Sequence, residues 1–221
     1  MAHATLIHEP RWRRMPEERP RQILEAAFRT FSDCGLANAR LEEIAKRAGV
    51  SKATIYLYFP NKEELFREVV RQTVGDAIDE TERMIKGETA TEDLLQFMQA
   101  HWRFVRSATF PPLYRWVIAE LSAFPDLAEF YSKEVTGRGH RLLRSIIERG
   151  MQRGEFRRMD PSVAARMLIA LFVTHGNWCH QPKMCPSIAD RSDKQLLEEI
   201  KEFYLTAIRR APAARATESH P

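Results

Sequence analysis

The chain has 221 residues, 44% of them hydrophobic and 29% charged, with a formal charge of +4. That size and balance suit a soluble globular protein of one large domain or two small ones, and exclude a membrane-spanning one: the best apolar run, Val163 to Val173, is too short and carries Arg166. A weakly basic balance permits nucleic acid as a partner without requiring it.

At the N-terminus, Leu6 and Ile7 are soon followed by Glu9 and Pro10, which leaves no apolar stretch of signal-peptide length. The expectation is a cytoplasmic protein. Three cysteines, Cys34, Cys179 and Cys185, cannot all pair with each other, so reduced thiols are expected.

Residues 1–20 read as an arm. Pro10, Pro16 and Pro20 break any period, and Arg11, Arg13 and Arg14 form a basic cluster that either enters a minor groove or stays solvated. From Arg21 helical spacing dominates. Ile23, Ala27 and Phe31 share a face, Leu24 and Phe28 widen it, and Gly35 is placed to stop the helix. A second helix covers about Leu41 to Ala48 and ends at Gly49. A third is capped by Ser51 and runs to about Tyr58, and Pro60 prevents its extension. Asn61 caps a long fourth helix with its stripe at Leu65, Phe66, Val69, Val70, Thr73, Ala77 and Ile78.

A break at Gly87 to Thr91 precedes a helix that is apolar on nearly every side, through Leu94, Phe97, Met98 and Val105. Pro111 and Pro112 start another, and Pro125 opens the next, which continues to Gly150. Asp160 and Pro161 cap a helix to Trp178, Pro182 and Pro186 mark a loop, and a last helix spans about Asp193 to Arg209. Strand alternation and fixed repeats are both missing from the pattern. The prediction is an all-α fold of about nine helices: an N-terminal three-helix helix-turn-helix head over 21–66, joined by a long helix to a C-terminal helical ligand-binding and dimerisation domain over 67–210. Residues 211–221 read as a disordered tail.

The stretch with chemistry is Leu41 to Lys62, LEEIAKRAGVSKATIYLYFPNK. Ala45 is small where two helices cross, Gly49 suits a left-handed turn, and Val50 and Ile55 plug the space between helices. Ser51, Lys52, Thr54, Tyr56 and Tyr58 then present hydroxyls and one cation, suited to phosphate oxygens and base edges in a major groove. Lys62, in the first turn of the fourth helix, adds its charge to free backbone N–H groups, a seat for a phosphate.

The segment from Arg21 to about Val74 resembles the DNA-binding domain of the TetR (tetracycline-repressor) family. The match runs through Ile23, Leu24, Ala26, Ala27, Phe31 and Gly35, then Ile44, Ala45, Ala48, Gly49 and Val50, then Ser51, Lys52, Thr54, Ile55, Tyr56, Tyr58 and Phe59, and ends with Lys62, Leu65 and Phe66. The resemblance implies a dimeric repressor that reads a palindromic operator of double-stranded DNA and is released by a ligand in its C-terminal domain. It implies DNA contacts at Ser51, Lys52, Thr54, Tyr56, Tyr58 and Lys62. Three positions depart from the pattern. Arg40 stands where a capping Ser or Thr is common and could hold a phosphate directly. Ala53 replaces a common glycine, and Tyr58 a common histidine. The expected DNA-contacting set therefore also includes Arg40 and Ala53.

For a small hydrophobic or aromatic effector, the residues singled out are His101, Trp102, Tyr114 and Trp116, with Phe124, Phe172, His175 and Trp178. Taken singly, each reads as plain core before it reads as a ligand contact. No cofactor is expected. His175, Cys179, His180 and Cys185 match no zinc spacing, and no basic neighbour marks a reactive thiol, so no metal is expected. The last two long helices carry surplus apolar surface and are read as a homodimer seam. An enzyme with an incidental helix-turn-helix is one alternative, though Gly-rich phosphate loops and activated nucleophile motifs are missing. A ligand-independent architectural DNA-binding protein is the other. Sequence does not separate repressor from activator.

Overall fold

The computed structural model describes residues 18–210; the basic arm at Arg11 to Arg14 and the tail from residue 211 lie outside them. The chain divides into two compact units between Val69 and Val70.

The first unit holds α1 (Glu18–Asn38), α2 (Leu41–Ala48), α3 (Lys52–Tyr58) and most of α4 (Lys62–Val70). Helix α1 starts at Glu18, ahead of the expected Arg21. Gly35 interrupts it at φ 78°, ψ 170°, a backbone region that side chains disfavour. Gly49 ends α2 in the left-handed conformation, φ 65°, ψ 33°, and Val50 N–H donates to Ala45 O at 3.0 Å. The turn between α2 and α3 is thus as short as a helix-turn-helix requires. Ser51 caps α3, its Oγ accepting from Thr54 N–H at 3.0 Å, and Asn61 caps α4 by accepting from Glu64 N–H at 2.7 Å. Ile23, Ala27, Phe31, Ile44, Ile55 and Leu65 are fully buried, and Phe31 meets Phe66 edge to face at 5.5 Å.

The second unit begins at Val70. It contains a π turn (Arg71–Gly75), α5 (Asp76–Met84), α6 (Ala90–Val105) and α7 (Phe110–Arg115), with a second π turn at Trp116–Glu120. Helix α8 (Pro125–Tyr131) passes through a third π turn (Ser132–Thr136) into α9 (Gly137–Gln152), followed by α10 (Pro161–His180) and α11 (Asp193–Ile208). Segments that π turns connect without a break count as one rod, which makes nine rods among the described residues, as expected. One isolated antiparallel bridge, Phe156 with Arg209, is the extended pairing among them.

The core of this unit is shared by α6, α9, α10 and α11 through Leu94, Met98, Leu143, Ile146, Leu168 and Leu197. Two buried polar side chains of this unit, Tyr204 and Asp93, are paired within it. Tyr204 donates to Ala164 O at 2.8 Å, and Asp93 accepts from Arg149 at 2.5 Å and from Gly87 N–H at 2.7 Å. The N-terminus of α6 carries a capping box, Thr89 with Glu92, and the Glu155 carboxylate accepts from Ala90 and Thr91 N–H at 2.9 and 2.8 Å. Among the described residues no helix is long and apolar enough to cross a membrane.

Candidate DNA-reading surface and ligand cavity

Helix α3 has one buried side chain, Ile55, which pins it to the first unit while the next residue, Tyr56, is 48% exposed. Ser51, Lys52, Ala53, Tyr56 and Tyr58 all face solvent, Thr54 is half-buried, and Phe59 closes the helix from inside. The helix itself carries no carboxylate. Its cation is held from α2: Lys52 donates to Glu42 at 2.5 Å and lies 5.8 Å from the Tyr56 ring. That hydrogen bond holds the Glu42 carboxyl below its ordinary value. A surface pair of this kind is weak, so a phosphate can take over the lysine.

Leu57 is 82% exposed on the same helix, between the two tyrosines, and was not singled out from the sequence. An apolar residue so bare on a reading helix offers a contact for a thymine methyl group. The signal was present in the sequence, as the one large aliphatic residue of α3 that the inner face did not need.

Arg40 is exposed and makes no side-chain cap, as expected from its chemistry. Lys62 is engaged differently from the expectation. Its ammonium donates to Leu36 O at 2.7 Å, Ala39 O at 3.1 Å and Ala37 O at 3.2 Å. An ammonium has three protons, and here three carbonyls at the end of α1 take them. Lys62, expected as a phosphate seat, is thus tied within the head in this structure.

The second unit holds a partly open cavity of about 230 Å³. Of the residues singled out for an effector, His101 and Tyr114 line it. The other six expected ligand residues do not. Trp116 and Phe172 are fully packed into the core, Trp102 is buried against Phe172 at 5.8 Å, and Phe124 lies away from the wall as the residue before α8. His175 and Trp178 pack together at 5.3 Å on an open groove of α10, beside Met167 and Phe203 of α11. Met167 and Phe203 are each more than half exposed.

The walls that sequence reasoning missed include Phe104, Phe110, Tyr131 and Thr81. All three π turns contribute: Val74 from the first, Val117 from the second, Val135 and Thr136 from the third. Such turns recur at functional sites because each displaces a side chain from helical register. Burial pushes the Tyr131 hydroxyl up to about 12 and the His101 imidazole down to about 4. Among the described residues, no three His, Cys, Asp or Glu side chains gather as a metal site. Burial also raises the Cys179 thiol, the opposite of an activated one.

Residues 23–69 match the family described as "Bacterial regulatory proteins, tetR family", and residues 92–209 match "AefR-like transcriptional repressor, C-terminal domain". The chain is 30% identical over 166 residues to an HTH-type transcriptional repressor of Streptomyces coelicolor, covering 75% of this chain and 80% of the relative. It is 29% identical over 160 residues to the fatty acid metabolism regulator protein of Bacillus subtilis, covering 70% and 80%. Its fold is similar to the structure of the transcriptional regulator FadR from Bacillus subtilis in complex with stearoyl-CoA. The TM-score is 0.71 at 24% identity, over 86% of this chain and 99% of that one.

Proposed function

The chain belongs to the TetR family of bacterial regulatory proteins, and from that premise we propose that it is a ligand-responsive transcriptional repressor acting on a near-palindromic operator as a homodimer. The observation that carries the reading is the outward face of α3. Ser51, Lys52, Tyr56, Leu57 and Tyr58 are presented to solvent while Ile55 alone anchors the helix. Hydroxyls and the lysine meet phosphates and base edges, and Arg40 and Ala53 flank them. Backbone N–H groups in the first turn of α4, with the Lys62 side chain beside them, support a second phosphate seat.

The exposed groove of Met167, Ala170, Trp178 and Phe203 supports pairing of two chains through α10 and α11. Two reading helices then address half-sites about 34–36 Å apart, or a larger multiple of the turn. An apolar cavity supports a small effector that prefers one head separation and so weakens DNA binding by differential affinity. The protein then acts on the chromosome, in the bacterial cytoplasm, without catalysing a reaction. The cavity favours this over a ligand-independent architectural role.

Selection of bound duplexes from a random pool by the purified full chain tests the reading. Enrichment of a motif with two inverted half-sites is expected. Recovery that matches a protein-free control would overturn it.

A further inference from the structure

Apart from the reading of α3, we infer that the loop between α9 and α10 and the end of α11 form a second DNA-binding surface, one that takes the phosphate backbone of duplex DNA without reading its sequence. The surface is made of five exposed arginines, Arg153, Arg157, Arg158, Arg209 and Arg210.

Backbone pairing gathers them from two distant stretches of chain. Phe156 and Arg209 form the antiparallel bridge, Arg157 N–H donates to Ile208 O at 2.9 Å, and Arg210 N–H donates to Glu155 O at 3.3 Å. Gly154, at φ 75°, turns the loop, and Arg210 Nη1 lies 3.6 Å from where a Cβ on that glycine would stand. Phe156 and Ile208 are buried and anchor the corner from inside.

The corner keeps its charge. Its five cations exceed the formal charge of the whole chain, +4. Both carboxylates of the loop are committed to helix starts. Glu155 accepts from Ala90 and Thr91 N–H, and Asp160 accepts from Ser162 and Val163 N–H at 2.8 and 3.1 Å. Arg153 donates to the Glu88 carbonyl at 2.6 Å and Arg157 to the Ala207 carbonyl at 2.7 Å, bonds that orient the side chains and leave their charge unneutralised. Among the described residues, Arg158, Arg209 and Arg210 have no side-chain partner.

The chemistry of the corner selects its occupant. A guanidinium fork matches phosphate oxygens in shape as well as charge. None of the exposed large hydrophobic residues belongs to this corner, and Met151 and Met159 pack against the core. A lipid surface or an acidic amphipathic helix would therefore find charge but no apolar footing. No exposed aromatic ring offers a stacking platform for single-stranded bases. The backbone of a duplex needs neither, because its affinity comes from phosphate neutralisation and release of counterions.

The test is fluorescence anisotropy of the full chain on a scrambled duplex across a salt series. Arg158→Gln/Arg209→Gln/Arg210→Gln should weaken binding about 10-fold or more at low salt and make the salt dependence shallower by about 2–3 units, from about 0.9 per phosphate contact. Arg166→Gln/Lys183→Gln/Lys194→Gln removes equal charge elsewhere on the same unit and should leave the slope as in the wild type. If the first triple variant fails to fold, Arg158→Gln alone should lower the slope by about one unit. A wild-type slope in the folded corner variants, or an equal loss in the control, would overturn the inference. So would vesicles of equimolar phosphatidylglycerol and phosphatidylcholine that bind through these arginines more tightly than the duplex does. Enrichment of an operator motif does not depend on this corner, so the regulator reading and this inference can fail separately.

Discussion

The Lys62 ammonium donates to the Leu36 carbonyl at 2.7 Å, across 26 residues of chain. With Ala37 and Ala39 as its further acceptors, it ties the start of α4 to the chain around the end of α1. Lys62→Met should cost the head about 1–3 kcal/mol, read as a lower unfolding temperature. The salt dependence of DNA binding by the folded fraction should keep its slope. A slope shallower by about one unit, with unchanged stability, would return Lys62 to a phosphate role.

Tyr56→Phe keeps the ring and removes the hydroxyl from the outward face of α3. Operator affinity should fall about 3- to 10-fold, with binding to scrambled DNA unchanged. Leu57→Ala should act through thymine methyl groups. Its penalty should appear on an operator with thymine and vanish when uracil replaces the contacted bases. Fluorescence anisotropy on the paired duplexes measures both.

His101 gives stability a pH dependence of known sign. Its folded value is about 4 against an ordinary 6.5, so between those values the unfolded chain holds a proton that the folded chain lacks. Stability should therefore fall as pH drops from 6.5 to 4 and level off below, by at most about 3 kcal/mol from this group. Phe97, Phe104 and Phe172 surround the ring, which is why burial dominates. His101→Phe should flatten that part of the curve, as measured by urea unfolding at several pH values.

Phe203→Glu places a charge on the exposed groove of α10 and α11. Sedimentation should show a shift from dimer to monomer at micromolar concentration, with helical content retained. A variant that sediments as the wild type does would remove this groove as the seam.

The elements legible in the sequence were those that local chemistry decides. Ser51, Asn61 and Asp160 act as caps where a short polar side chain precedes a helical period, and Gly49 stands where a left-handed turn is needed. The outward hydroxyls of α3 were legible for the same reason, because a seven-residue helix has room for one anchor. Cavity walls were not legible. Trp102, Trp116 and Phe172 have the composition of a ligand site, yet helix crossings bury them in core, while Val74, Val117, Val135 and Thr136 reach the wall from π turns that periodicity does not announce. The Lys62 tie was equally hidden, since its acceptors are backbone atoms distant in sequence.

Sequence-specific reading by α3 is tested most directly by anisotropy of the purified full chain on a selected near-palindrome and on its scrambled counterpart, across a salt series. The account predicts a preference of about 10³-fold or more that persists while both affinities fall with salt. Equal affinity for the two duplexes at every salt concentration would contradict it.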